Sequence, residues 1–190
     1  MRSNPIQIVT LAVVIVAFGV TSVTWAAAPA GDPVAQVKSA TTDIQQIAAE
    51  AKEQGPMVAK IEDVMKRLVD YEQFSAATMK THWPDLNADQ RVRFVGAFKS
   101  LITNTYAKRF QPGASFKTSY RGETEFMGEA RNRASVKTTV HGEKAAADVD
   151  YVFSASTLNG KAAWRVVDII VDEVSMVRNW RSQFSKVMKR

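Results

Sequence analysis

The sequence predicts an α+β domain in which N-terminal helices and one C-terminal helix cover a sheet of about four antiparallel strands. Apolar residues recur every three or four positions through residues 32–110 and again after 175, whereas apolar and polar residues alternate between 116 and 171. Helices and strands are thus segregated along the chain, which is typical of α+β domains and not of wound parallel sheets. At 190 residues and 46% hydrophobic content, the chain is long enough for one domain with one core.

Residues 1–30 have the features of a cleaved secretory signal peptide. Arg2 supplies a short positive region, residues 6–20 are mostly apolar, and an Ala-Pro-Ala site ends at Ala30. The alternative is an uncleaved membrane anchor, but the apolar run is shorter than the roughly 20 residues that span a bilayer. We therefore expect residues 1–30 to be removed on export, leaving residues 31–190 as a single soluble domain.

Four helices are predicted in the first half of the chain, over residues 32–52, 57–69, 70–79 and from 88 to about 110. Asp32, Asp70 and Asn87 can each cap a helix start, because their side-chain oxygens accept from early backbone N–H groups. Gly55-Pro56 is expected to end the first helix before the second begins. No repeat or low-complexity linker divides this region, so no internal domain boundary is expected.

Alternation predicts four strands, over residues 116–120, 134–140, 147–155 and 163–171. The Asn159-Gly160 pair predicts a hairpin turn between the last two strands. In the third strand, Asp148 and Asp150 alternate with apolar residues that include Tyr151. The acidic side chains are therefore expected on a solvated outer face, with the apolar side chains on the face that the helices cover.

The last strand runs directly into a C-terminal helix. Ser175 is predicted to cap that helix, whose apolar stripe includes Trp180. Asp168 interrupts the apolar strand, and a buried carboxylate requires a hydrogen-bond donor. Arg181 is the predicted donor, and the alternative is that Asp168 points to solvent.

Catalytic and metal-binding patterns are missing from the sequence. The chain has no cysteine, which excludes disulfides and thiolate metal sites. His82 and His141 lie in different regions and outside any metal-ligand motif, and no P-loop, nucleophile elbow or dinucleotide-binding motif occurs. An enzyme, a metal and a cofactor are therefore not expected. The net charge of +6 suits nucleic acid, anionic lipid or an acidic protein face, but no RNA-binding motif or arginine-rich run favours nucleic acid.

Two groups of residues resemble the MlaC family, also called the toluene-tolerance auxiliary family. The C-terminal group consists of Trp164, Arg165, Asp168, Ser175, Asn179, Trp180, Arg181, Gln183 and Phe184. The earlier group consists of Trp83, Gln90, Phe94, Phe98, Leu101 and Tyr106. Together the matching positions spread over roughly residues 70–190. The chain departs from the family pattern at Lys80 and Glu173, where the family usually has glycine, and at Trp180, where it has tyrosine.

The resemblance implies a periplasmic phospholipid carrier that supports outer-membrane lipid asymmetry and makes or breaks no bond. Such a carrier would move lipid between an inner-membrane ABC transporter complex bearing an MCE-domain protein and an outer-membrane lipoprotein complex. It would hold acyl chains in an apolar cavity between a curved sheet and the helices. By family position and facing, the candidate lipid-binding residues are Phe94, Phe98, Leu101, Tyr106, Tyr151, Phe153, Trp164, Val166, Val177, Trp180 and Phe184.

Two other functions are compatible with the same pattern. One is a carrier of hopanoids or other terpenoids, which is a branch of the same family and needs a broader, stiffer cavity. The other is an adaptor module that has a filled core and only docks partner proteins. Periodicity does not distinguish a filled core from a lined cavity, because both place apolar residues on the same face.

Overall fold

A computed structural model describes residue 29 and residues 31–129, 131–143, 145–158 and 161–188. Within these residues the helices are α1 (Pro33–Glu50), α2 (Gln54–Leu68), α3 (Tyr71–Met79), α4 (Ala88–Tyr106) and α5 (Met176–Met188). The strands are β1 (Lys117–Tyr120), β2 (Glu125–Met127), β3 (Arg133–His141), β4 (Ala146–Leu158), β5 (Lys161–Val171) and β6 (Val174–Ser175). The expected signal peptide and its cleavage site lie almost wholly outside the described residues and stay predictions. No helix of the described part is both long and apolar enough to cross a membrane.

The strands form one antiparallel sheet, which confirms the α+β class. Its order is β1-β3-β4-β5-β6, and β2 also pairs with β3. The four predicted strands correspond to β1, β3, β4 and β5. The short strands β2 and β6 were not predicted, because three and two residues are too few to show an alternating pattern.

Polar caps start the helices where the sequence indicates. Asp32 Oδ1 accepts from the backbone N–H of Val34 at 2.9 Å, and Asp70 Oδ1 accepts from that of Gln73 at 2.9 Å. Asn87 begins α4 by a reciprocal pair of bonds with the residue three positions later. The predicted start of α2 is wrong by three residues. Pro56 lies inside its first turn, where a missing N–H is tolerated, and the first helix has already ended at Glu50.

The junction between α2 and α3 is fastened directly to β5. Val69 forms an isolated parallel bridge with Val166, and the Asp70 N–H donates to the Val166 carbonyl at 2.9 Å. The Arg165 guanidinium donates to the Val69 carbonyl at 2.6 Å and to the Lys66 carbonyl at 2.7 Å. These bonds satisfy carbonyl groups at the end of α2 that have no partner within the helix. They hold α2 and α3 over one face of the sheet.

The predicted pair between Asp168 and Arg181 is wrong. Asp168 accepts from the Ser175 hydroxyl at 2.5 Å and from the Val177 backbone N–H at 3.0 Å. Arg181 instead donates twice to the carbonyl of Ala77, at 2.6 and 3.1 Å. The start of a helix offers unpaired N–H groups that suit a carboxylate. The start of α5 lies only two residues past the β5–β6 turn and therefore close to Asp168.

Ser175 caps α5, as the sequence predicts. Its hydroxyl oxygen accepts from the Arg178 backbone N–H at 3.1 Å, while the same hydroxyl donates to Asp168. The carboxylate, the serine and the first turn of α5 therefore form one hydrogen-bonded unit that sets the position of α5 against β5.

A two-residue turn between β5 and β6 places two side chains in the left-handed region. Asp172 has a φ of 46° and Glu173 a φ of 68°, and Val171 pairs with Val174 across the turn. This is the conformation of a type I′ hairpin, which needs positive φ at both central residues. Lys80, at the end of α3, also has a positive φ, of 45°. Lys80 and Glu173 are the two positions at which the resembled family pattern has glycine.

Glu173→Gly is expected to raise the free energy of unfolding by roughly 0.5–1 kcal/mol. A left-handed conformation strains a side-chain-bearing residue by about 1–2 kcal/mol, and the entropy that glycine loses on folding offsets part of this gain. Chemical denaturation of both proteins measures the difference. Glu173→Ala is the control, because it removes the carboxylate and keeps Cβ. An equal gain in both variants would assign the effect to charge and contradict the strain argument.

Candidate functional site

An apolar cavity of about 370 Å³ lies between the helices and the covered face of the sheet. Its volume is in the range of about 300–1,000 Å³ that is usual for ligand sites. The helices contribute Ala40, Thr41, Ile44, Ile61, Glu62, Met65, Leu68, Tyr71, Ile102, Thr103, Tyr106 and Met176 to its lining. Ala107 and Phe110 follow α4, and the sheet contributes Val140, Ala147, Val149, Tyr151, Ile169 and Val171.

The register of β4 and β5 places four cavity residues side by side. Val149 is paired with Val171, and Tyr151 is paired with Ile169. Because side chains alternate along a strand, all four point to the same face of the sheet. This face is the one predicted from alternation, and the outer face carries the acids. Asp148 is exposed there, and Arg121 pairs with Asp150 at 2.7 Å and with Asp148 at 3.4 Å.

The pairing register of β4 with β5 shifts between Val152 and Phe153. The packing of the covered face differs on the two sides of this shift. On one side of the shift Val149, Tyr151 and Ile169 line the cavity. On the other side Phe153 and Trp164 are 0% and 1% exposed and belong to the closed core. One continuous sheet face is therefore partly cavity wall and partly filled core.

A cluster of aromatic rings fills the space beyond the cavity. Phe98 lies 5.7 Å from both Phe74 and Phe94, measured between ring centroids, and 6.0 Å from Trp180. Phe184 completes the cluster at 5.5 Å from Phe94 and 5.7 Å from Phe98. Aromatic pairs at such separations are stabilising beyond their buried area. The cluster is thus a packed core that joins α3, α4 and α5.

The structure places two of the candidate lipid-binding residues in the cavity lining, Tyr106 and Tyr151. The other nine do not border it. Phe98, Phe153, Trp164, Val166, Val177 and Trp180 are buried in the main core, and Phe94 and Phe184 pack against that core. Leu101 is 36% exposed on α4, because the buried stripe of that helix passes through Phe98 and Ile102.

Most of the cavity residues are not among the candidate lipid-binding residues predicted from the sequence. Ile44 on α1 and Ile61 and Met65 on α2 belong to helical stripes that periodicity does detect. Their side chains are aliphatic, however, and no matching family position marks them. Ile44 and Met65 pack against both the main core and a smaller buried cluster around Met57. The cavity therefore lies where two separately filled cores meet.

Glu62 is the one charged residue in the cavity lining that the structure describes. Lys99 on α4 lies 2.9 Å from its carboxylate, and Lys66 lies 3.4 Å away. The hydrogen bond from Lys99 is the main reason that the pKa of Glu62 lies below its usual value, although burial acts in the opposite direction. The carboxylate is therefore ionised at neutral pH, and its charge is compensated at the edge of the cavity.

The hydroxyls of Tyr71 and Tyr151 remain protonated. Burial raises the pKa of Tyr151 well above its usual value, and Tyr120 adds to this effect. Burial also raises the pKa of Tyr71 to about 12. These side chains therefore present neutral hydroxyl groups and aromatic surface, which suits contact with hydrocarbon.

Another hollow, of about 550 Å³, lies between the end of α1 and the start of α2. Its lining is mixed, with Asp43, Lys52, Lys60 and Arg67 among its members. An acyl chain there would lie against charged groups, so this hollow does not offer the apolar surroundings of the cavity. The described residues hold no group of three or more acidic or histidine side chains that could bind a metal ion.

Comparison with known proteins identifies the family. Residues 36–190 match the family model described as MlaC protein. The chain belongs to the MlaC family. Among solved structures it is similar to a phospholipid-binding protein from Ralstonia solanacearum, determined in complex with a phospholipid. The two are 21% identical, with a TM-score of 0.70 over 84% of this chain and 88% of the other. This likeness shows that the MlaC-family chain has the same fold, and no curated protein matches it.

Val149→Trp is expected to abolish lipid co-purification without lowering the melting temperature. The larger side chain points into the cavity and occupies the space of an acyl chain, while filling an existing cavity commonly stabilises a protein. Lipid content is measured by mass spectrometry of extracts, and stability by circular dichroism on heating. Leu101→Trp is the matched control, since its exposed site lies outside the cavity. Full lipid content in Val149→Trp would contradict the assignment of this cavity.

Proposed function

We propose that this MlaC-family chain is a periplasmic carrier that holds a phospholipid by its acyl chains. The observation that carries the proposal is the apolar cavity, in which the one charged lining residue among those described, Glu62, is ion-paired at the edge. Transfer of each CH₂ group from water to such surroundings is favourable by about 0.8 kcal/mol, so long acyl chains bind strongly without headgroup contacts. The phospholipid held by the Ralstonia solanacearum protein supports the same class of cargo.

The acyl chains are proposed to contact the cavity lining, including Tyr106 and Tyr151. For the nine other candidate residues we propose packing roles, because they fill the core around the cavity or lie outside it. The adaptor alternative is less well supported, since a module with a filled core needs no cavity of this size. A carrier also makes and breaks no bond, in agreement with the missing catalytic motifs of the sequence.

The proposed route runs between the two membranes of the cell envelope. The signal peptide expected at residues 1–30 would export the chain to the periplasm. There it would exchange phospholipid with an inner-membrane ABC transporter complex through an MCE-domain protein, and with an outer-membrane lipoprotein complex. Family membership supports this route.

Protein purified from a periplasm is expected to lack residues 1–30 and to keep its phospholipid through a wash at about 1 M salt. Apolar burial provides the binding free energy, and salt barely affects it, because ionic screening at that concentration weakens only interactions between charges, mainly those more than about 3 Å apart. N-terminal sequencing and lipid mass spectrometry make the two measurements. Loss of lipid in the wash would show that charge dominates cargo binding. A hopanoid in place of phospholipid would overturn the cargo class.

A further inference from the structure

A second pocket adjoins the apolar cavity on the other side of Tyr71. It has a volume of about 370 Å³ and collects basic side chains from three elements, namely Lys66 of α2, Lys99 of α4 and Arg165 of β5. Tyr71 lines both this pocket and the apolar cavity, so the two spaces share a wall. Lys66 and Lys99 also contact Glu62 at the cavity edge. We call this space the Tyr71 pocket.

Arg165 brings a positive charge to the Tyr71 pocket that no carboxylate of the described residues neutralises by an ion pair. One terminal nitrogen of its guanidinium is held by the carbonyls of Lys66 and Val69. Its Nε is buried and has no hydrogen-bond partner among the described residues. A half-buried cation that is fixed by carbonyls and still has a free donor is a favourable partner for an anion.

Tyr71 contributes a second unsatisfied group. The residue is 9% exposed, and its hydroxyl is buried without a hydrogen-bond partner among the described residues. Burial is the largest cause that raises the pKa of Tyr71, the charge of Glu62 raises it further, and the charge of Arg165 acts in the opposite direction. The hydroxyl therefore keeps its proton at neutral pH and is available as a donor. Buried polar groups are nearly always paired in proteins, so this hydroxyl calls for a partner.

The acidic residues at the Tyr71 pocket are already engaged or exposed. Asp70 accepts from the backbone and side-chain N–H groups of Gln73, at 2.9 and 3.0 Å, and from the Ser156 hydroxyl at 2.7 Å. Glu72 lies on the exposed side of α3. Glu62 is bound to the two lysines. The groups left with free donor capacity are thus the guanidinium, the tyrosine hydroxyl and the remaining N–H bonds of the lysines.

We propose that the Tyr71 pocket binds the phosphodiester group of the lipid whose acyl chains occupy the cavity. The proposal rests on the proposed function and adds a headgroup subsite to it. Phosphate oxygens accept from Arg165 Nε, from the Tyr71 hydroxyl and from Lys99, and their negative charge neutralises the guanidinium. The shared wall at Tyr71 lets one molecule place its chains in the cavity and its phosphate in the pocket.

Glu62 then acts as a competitor of the phosphate. Its carboxylate holds Lys99 and Lys66, and its negative charge lies near the same donors. A phosphate that reaches Lys99 has to share the ammonium group with Glu62. Removal of the Glu62 charge would therefore free both lysines and strengthen phosphate binding.

The test compares two probes that have the same acyl chains, dioleoylphosphatidylglycerol and dioleoylglycerol. Affinities of the delipidated protein for each probe are measured by competition with a fluorescent fatty acid. Tyr71→Phe is expected to lower the ratio of the two affinities about tenfold, since a hydrogen bond to a charged group contributes on this scale. Tyr120→Phe is the matched control, because its hydroxyl is paired with the Thr41 hydroxyl and the residue lines neither the cavity nor the Tyr71 pocket, so its ratio should equal that of the wild type. The lipid-free Tyr71→Phe protein should be at least as stable as the wild type, because the lost hydroxyl had no partner.

Glu62→Gln is expected to change the ratio in the opposite direction, by several-fold in favour of phosphatidylglycerol. An unchanged ratio in both Tyr71→Phe and Glu62→Gln would overturn the subsite while leaving the carrier function intact. Failure of the wild type to bind either probe would instead overturn the carrier function. Inorganic phosphate is added as a third probe. Tight binding of inorganic phosphate that does not weaken phosphatidylglycerol would assign the pocket to free phosphate and contradict the headgroup proposal.

Discussion

The extent to which side chains fill the space between the helices and the covered face of β4 and β5 determines which part of this face is filled core and which part is cavity. These strands have 13 and 11 residues, so their covered face is longer than one packed cluster. Beyond the shift in pairing at Phe153, aromatic rings reach across from α3, α4 and α5 and close the gap. Before it, the face carries Val149, Tyr151, Ile169 and Val171, which line the cavity together with residues of α2 and α4. Protein interiors are normally close-packed, so an apolar gap of this size is a place for a ligand.

Hydrogen bonds at the ends of helices also fasten them to the sheet. Val69 and Asp70 attach the junction of α2 and α3 to β5, and Asp168 and Ser175 attach the start of α5 to the same strand. The Glu62–Lys99 ion pair links α2 to α4 at the edge of the cavity. This ion pair is partly exposed, and exposed ion pairs are weak interactions.

The sequence predicted the fold well because the signals that define it are local. Capping residues such as Asp32 and Asn87 and the change from helical to alternating periodicity each act within a few residues. The hairpin signal at Asn159-Gly160 is equally local, but these two residues lie outside the described part of the chain. The errors were of a different kind. The partners of Asp168 are set by the β5–β6 turn, which brings Ser175 and Val177 next to it. The short strands β2 and β6 exist only through pairing with longer neighbours.

The cavity was predictable only as a consequence of the family resemblance. Phe98 and Ile61 both belong to apolar helical stripes, yet Phe98 is in the closed core and Ile61 borders the cavity. The two residues differ in how closely the facing elements pack against them, and a local sequence pattern does not contain this information. The family positions point mainly to aromatic residues, and these pack together in the core beside the cavity. The residues that line the cavity are mostly aliphatic and come from all five helices and from β3, β4 and β5.

The most direct test of this account is the location of the acyl chains. Isotope-filtered NMR can record NOEs from the acyl protons of a bound phospholipid to the methyl groups of the labelled protein. We expect NOEs to Ile44, Met65, Val149 and Ile169, which line the cavity, and none to Val166 and Val177, which lie in the closed core. NOEs to Val166 and Val177 without contacts to Val149 and Ile169 would contradict the account, because the lipid would then occupy the space that we assign to packed core.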